Sequence, residues 1–232
     1  MIKIKKGAFT LSEVLITLAV VGVLAALVVP GLIRESANKA SITLLQSTVT
    51  NLNDAVQKEL VRSRASRIED TNIWNDPVQF FKDTLEIKQE CTGAPPNACY
   101  AAANTYKNLN GTTGNLSYST NAVLLANGVT LDVMKDKKSD YNNKQIPVGI
   151  DLNGSQDPNL TGVDRHMVCI AIENDETAGL HIGDVGGCLK NGLSPSSSKS
   201  SLITACKNGA PDACYFVLES SGFDYHYLEE KN

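Results

Sequence analysis

The chain has 232 residues, a formal net charge of −4, 6% aromatic side chains and a mean hydropathy of −0.12. These values exclude a polytopic membrane protein, and the absence of any Lys/Arg cluster in the C-terminal two thirds excludes a basic nucleic-acid surface. The length suits one ordinary domain with an extension.

The extension comes first. A short basic leader, MIKIKK, precedes KGAFTLSEVLITLAVVGVLAALVVPG, in which Glu13 is the only ionisable side chain between Phe9 and Ile33. Val14 to Ile33 is an uncharged run that, at about 1.5 Å per residue, matches the roughly 30 Å of a hydrocarbon core. Lys3, Lys5 and Lys6 stand before the run, whereas Arg34 and Lys39 beyond it are partly offset by Glu35. That asymmetry keeps the N-terminus in the cytoplasm and sends everything after about residue 35 outside, where the six cysteines are expected to pair.

Three readings fit the apolar run. A secretory signal peptide would be cut near Ala25-Ala26, but the run is too long for one and continues apolar past that point. A plain single-span anchor leaves Glu13 unexplained, since a carboxylate deep in a membrane costs about 2.5–3.5 kcal/mol on insertion scales. The third reading follows from what lies beyond Ile33. Ile42, Leu45, Val49, Leu52, Val56 and Leu60 step by three or four, with Gln46, Asn53, Asp54, Gln57 and Lys58 between them. One helix from Phe9 to about Arg67 would thus be apolar all round in its first half and amphipathic in its second, where it packs on a globular head.

With that layout the sequence resembles the type IV prepilins and the pseudopilins of type II secretion. The match lies in KGAFTLSEVLITLAVVGVLAALVVPGL: a basic leader, a small residue, Phe-Thr-Leu, a Glu, then the apolar helix. Family members normally place Gly directly before the Phe, whereas Gly7 is here followed by Ala8. Cuts after Gly7 and after Ala8 both fit the residues. The family carries its Glu as the fifth mature residue and often a Pro as the twenty-second, and cleavage between Ala8 and Phe9 puts Glu13 and Pro30 at those places.

The resemblance implies a cleaved leader over 1–8, a membrane span and filament core over 9–33, the amphipathic half of the helix over 34–67, and an extracytoplasmic head over 68–232. It further implies a prepilin peptidase/methyltransferase that cuts before Phe9 and N-methylates it. Glu13 would pair with the new α-amino group on its own or a neighbouring chain, and Pro30 would mark a kink. The implied partners are the membrane, copies of the chain and related pilins in a helical filament, and an assembly platform with its ATPase. The resulting expectation is a single-pass membrane precursor and afterwards a cell-surface or periplasmic filament subunit. A monomeric membrane-anchored or secreted binding module is the alternative. Neither reading calls for catalysis or for nucleic acid as a partner.

In the head, Asp76-Pro77 reads as an N-cap and first-turn proline of a short helix with Val78, Phe81 and Leu85 on its apolar face; Trp74 and Phe80 are packing residues. TYKNLNGTTGNLSYST reads as loop. NAVLLA, the Asn127-Gly128 turn and VTLDV form a hairpin signal, and IPVGIDL and HMVCIAI add two strands. The tail after about Gly179 reads as irregular, with SPSSSKSS an exposed loop. The expected fold is α+β and type IV pilin-like: a long N-terminal helix on an antiparallel sheet of three to four strands, with a disulfide-bonded C-terminal region.

CTGAPPNACY and CKNGAPDACY form a faint repeat with the same spacing between their cysteines. The repeat predicts Cys91–Cys99 and Cys206–Cys214, leaving Cys169–Cys188, although six cysteines allow fifteen arrangements. C-x7-C is not zinc spacing, and His166, His181 and His226 stand in no catalytic motif. DLNGSQDPNLTGVD is rich in hard oxygen donors. It reads either as an Asx/Gly-rich turn between strands or as a calcium loop using Asp151, Asn153, Asp157 and Asp164, with Ser155 and Asn159 beside them. No other cofactor is expected.

Overall fold

The computed structural model describes residues 10–65, 68–93, 99–114, 121–141, 145–175, 179–190 and 192–224. The chain divides into two compact units, Met1–Ala40 and Ser41–Asn232. Helix α1 (Leu11–Ser63) forms the described part of the first unit and supplies the opening element of the second. It passes Pro30 without a break, since a proline removes one N–H and the flanking turns keep theirs. It stops short of the expected Arg67, a position that itself lies outside the described residues. Arg64 adopts a φ of +52°, left-handed backbone that cannot continue a right-handed helix. The Ser63 hydroxyl donates to the Glu59 carbonyl and accepts the Ala65 N–H, closing that end.

In the second unit the amphipathic half of α1 buries the residues its period singled out: Leu45, Val49, Leu52 and Val56 lie in the core, and Ile42 packs at its margin. Glu59 is fully buried as well. Its carboxylate accepts the Arg62 Nε and Nη2 donors at 2.9 and 2.7 Å and the Asn72 N–H at 2.8 Å, which joins the end of α1 to α2 (Asn72–Asn75). Helix α3 (Pro77–Thr84) starts as its sequence signals, with the Asp76 side chain accepting the Gln79 N–H, and it buries Phe80 and Phe81. Trp74 packs against the same core.

The sheet has six antiparallel strands in simple chain order: β1 (Ile87–Thr92), β2 (Asn121–Leu125), β3 (Thr130–Val133), β4 (Gln145–Asp151), β5 (Arg165–Asp175) and β6 (Gly179–Gly186). The β2–β3 hairpin turns at Asn127-Gly128, where Gly128 takes a φ of +91° that favours glycine. The expectation of three to four strands is corrected by the two edges. β1 carries exposed Lys88, Gln89 and Glu90, the charged surface edge strands use against unwanted pairing, and this hides its period. β6, GLHIGDVG, reads as loop by its glycines but completes the ladder with β5.

The tail is likewise not irregular: after β6 come α4 (Lys199–Lys207) and α5 (Pro211–Ser220). The serine run is a loop only as far as Ser198, which caps α4 by accepting the Ser201 N–H; Lys199, Ser200 and Ser201 stay exposed in the first turn of that helix. Pro211 stands in the first turn of α5, where its missing N–H costs nothing.

Alternation along the strands sorts the two faces of the sheet. Val123, Leu131, Val133, Ile146, Val148, Ile150, Val168 and Ile170 join the α1 residues in one core. The opposite face carries Thr130, Asp132, Asp151 and Arg165, all buried. Gly149 lies between them because a Cβ there would strike the Asp132 carboxylate. Segment 99–114 covers this polar face: the Thr130 hydroxyl donates to the Cys99 carbonyl, and Tyr106 donates to Asp151. Three disulfides are formed, Cys91–Cys99, Cys169–Cys188 and Cys206–Cys214.

Candidate functional site

Two places carry the residues singled out by sequence. The first is the start of α1. Every residue from Thr10 to Ile33 is exposed, and among the described residues all large exposed hydrophobics except Val61 lie between Leu11 and Ile33. An apolar surface of that extent marks a membrane or protein interface. α1 is long and apolar enough to cross a membrane, with a mean hydropathy of 2.6 over its most apolar window.

Glu13 stands in the first turn of this helix and is held by Thr10. The Thr10 N–H and hydroxyl both donate to Glu13 Oε2 at 2.8 Å, and the Glu13 N–H donates back to Thr10 Oγ1 at 3.3 Å. This reciprocal arrangement is a capping box. It supplies two donors to the carboxylate and places the negative charge at the positive end of the helix dipole. Thr10 was missed as a functional residue in the sequence, although T-x-x-E before an apolar run is the signal for it. Gly7, Ala8 and Phe9, the expected cleavage residues, lie outside the described residues, as does the backbone nitrogen that would become the Phe9 α-amino group. Pro30 is exposed in mid-helix.

The second place is the covered polar face with the loop between β4 and β5. Asp151 Oδ2 accepts the Tyr106 hydroxyl at 2.8 Å, its Oδ1 accepts the Asn153 N–H at 3.3 Å, and the Arg165 guanidinium stands 5.7 Å from the centre of the Tyr106 ring. Burial pushes Asp151 up to about 6, against the hydrogen bond from Tyr106 and the charge of Arg165. Asp164 Oδ1 accepts the Leu160 N–H at 2.7 Å, and burial together with the neighbouring Asp151 charge pushes Asp164 up to about 7. Tyr106 and Arg165 carried no signal in the sequence, because their role depends on a loop folding over a sheet face.

The oxygen-rich residues of this loop separate. Asp151, Asn153 and Asp164 stay together in it, whereas Asp157 is exposed and accepts the Asn159 amide N–H at 2.9 Å. His166 is buried with Nε2 3.2 Å from the Val163 carbonyl, and burial lowers it to about 4. His226 and the side chains of His181 and Asp184 lie outside what is described.

Residues 3–29 match the model of the prokaryotic N-terminal methylation motif, the signature of type IV prepilins and pseudopilins. The matched stretch holds the basic leader, Phe9, Thr10, Glu13 and most of the bare helix. No curated protein and no solved structure matches the chain.

Proposed function

We propose that the chain is a structural subunit of a type IV pilus or type II secretion pseudopilus. A prepilin peptidase cuts between Ala8 and Phe9 and methylates Phe9, and the mature chain polymerises through its N-terminal helix. The observation that carries the reading is the coincidence of the methylation motif with a helix whose first half is apolar on all sides and charged only at Glu13. Before assembly the apolar half sits in the membrane with the head outside; afterwards it is covered by the same segment of neighbouring subunits.

Glu13 has a partner in each state. In the precursor it belongs to the Thr10 capping box. Cleavage creates a cationic α-amino group at Phe9, and in hydrocarbon-like surroundings a carboxylate gains most from a full opposite charge. A subunit out of axial register would bury unmatched charges, so the pair sets the register. Losing three lysines with the leader takes the formal charge from −4 to −7, which disfavours direct DNA capture by the mature subunit.

The test is Glu13→Ala in cells carrying the assembly machinery. Filaments are expected to be lost while the precursor is still made with a folded head, read by its thermal unfolding. Wild-type filament yield from Glu13→Ala would overturn the role given to this carboxylate.

A further inference from the structure

Two of the three disulfides frame one cleft. Cys206–Cys214 closes the turn between α4 and α5, and Cys169–Cys188 fastens to β5 the stretch that carries Lys190. Between that turn, the start of β5 and Lys190 lies a cavity of about 450 Å³, within the roughly 300–1,000 Å³ of small-molecule sites. Segment 99–114 adds a third fastening: the Asn110 N–H donates to the Lys207 carbonyl at 3.1 Å, and the Asn110 amide donates to Asn208 Oδ1 at 2.9 Å. Gly209, at a φ of +97°, lets Asn108 come in where a Cβ would strike it. The walls are thus held in place before a ligand arrives, which lowers the ordering cost of binding.

The charge of this wall runs against that of the chain. The formal net charge is −4, yet the charged side chains lining the cleft are Arg165, Lys190 and Asp212, two cations to one carboxylate. Asp212 Oδ2 accepts the Lys190 N–H at 2.7 Å, so part of that carboxylate is spent on the wall itself. Arg165 is buried, and its guanidinium stands 5.7 Å from the centre of the Tyr106 ring, a contact that orients the planar fork of donors. Lys190 is exposed and pairs with Asp140 at 2.8 Å. A surface pair of that kind is worth at most about 1 kcal/mol, so an incoming anion can displace it. Met167 and Pro211 add apolar surface to the same cleft.

We propose that this cleft binds a small organic carboxylate, with its anionic end on Arg165 and Lys190 and its body against Met167 and Pro211. A guanidinium matches a carboxylate in two parallel hydrogen bonds, and the neighbouring ammonium adds a second positive charge without a geometric demand of its own. The volume suits a single sugar acid or the last two residues of a peptide, and both present the same head group. The inference does not depend on the filament reading.

The experiment titrates the full-length chain in detergent, by calorimetry, with sodium glucuronate and with N-acetyl-alanyl-alanine, each beside its neutral counterpart, glucose and the dipeptide amide. One of the two carboxylates should bind with a Kd of about 1 mM or tighter, and its neutral counterpart about tenfold more weakly or worse. Which of the two binds tells a sugar acid from a peptide end. Arg165→Lys, which keeps the charge and removes the fork, should weaken binding by about tenfold or more, with the fluorescence of Trp74 reporting that the head is still folded. Lys190→Gln changes an exposed residue and should weaken binding by a smaller factor. The proposal is overturned by the absence of saturable binding of either carboxylate up to about 10 mM, by equal binding of the neutral counterparts, or by unchanged affinity in the folded variants.

Discussion

Leu52 and Leu24 are the same residue in the same helix with opposite surroundings, and truncating each tests how α1 is divided. Leu52 is completely buried, packed in the core formed with β2 to β5, whereas Leu24 is 56% exposed. Leu52→Ala removes buried methyl groups and leaves a cavity that a six-stranded sheet cannot readily close. Such truncations cost about 2.7–5 kcal/mol. With about 2–4 °C per kcal/mol for a domain of this size, even the lower figure lowers the melting temperature by about 5–11 °C. Leu24→Ala removes groups that are exposed in the first unit, so head unfolding should stay within about 0.5 kcal/mol of the original. The assay is unfolding of the full chain in detergent followed by fluorescence of Trp74, the single tryptophan, which packs against the head core. A Leu52→Ala chain within about 1 kcal/mol of the original, or a Leu24→Ala chain equally destabilised, would refute the division.

Glu59→Ala should destabilise the head by about 3 kcal/mol or more, because the fully buried Glu59 carboxylate is the acceptor for the Asn72 N–H and the Arg62 guanidinium, and the tie between α1 and α2 goes with it. An unchanged urea midpoint would contradict that account. Peptide mapping without reduction should recover Cys91–Cys99, Cys169–Cys188 and Cys206–Cys214, and any link between the two C-x7-C copies would contradict the local pairing. Cys206→Ser with Cys214→Ser should lower head stability by somewhat less than about 3 kcal/mol, since the closed loop is short.

What could be read from the sequence depended on how local each signal was. The amphipathic run Ile42 to Leu60, the Asp76-Pro77 helix start and the Asn127-Gly128 hairpin are set by neighbours within a few residues, and the structure has them where the sequence puts them. β1 and β6 are edges whose identity comes from the strand they pair with, and neither a charged stretch nor a glycine-rich one announces that partner. α4 and α5 are short helices inside a Ser/Pro/Gly-rich tail, marked only by Ser198 and Pro211. In the candidate sites, Glu13 stands out as a lone charge in a greasy run, whereas the part played by Thr10 shows only once the start of the helix is fixed. The oxygen-rich loop is visible in the sequence, but the burial of Asp151 under Tyr106 depends on a segment that reaches across from elsewhere in the chain.

The most direct test of the central claim is the mass and N-terminal sequence of the mature chain after co-expression with a prepilin peptidase/methyltransferase. The account predicts loss of residues 1–8 and a first residue of N-methylated Phe9. An intact leader, a first residue of Ala8 or a start near Leu27 would contradict it.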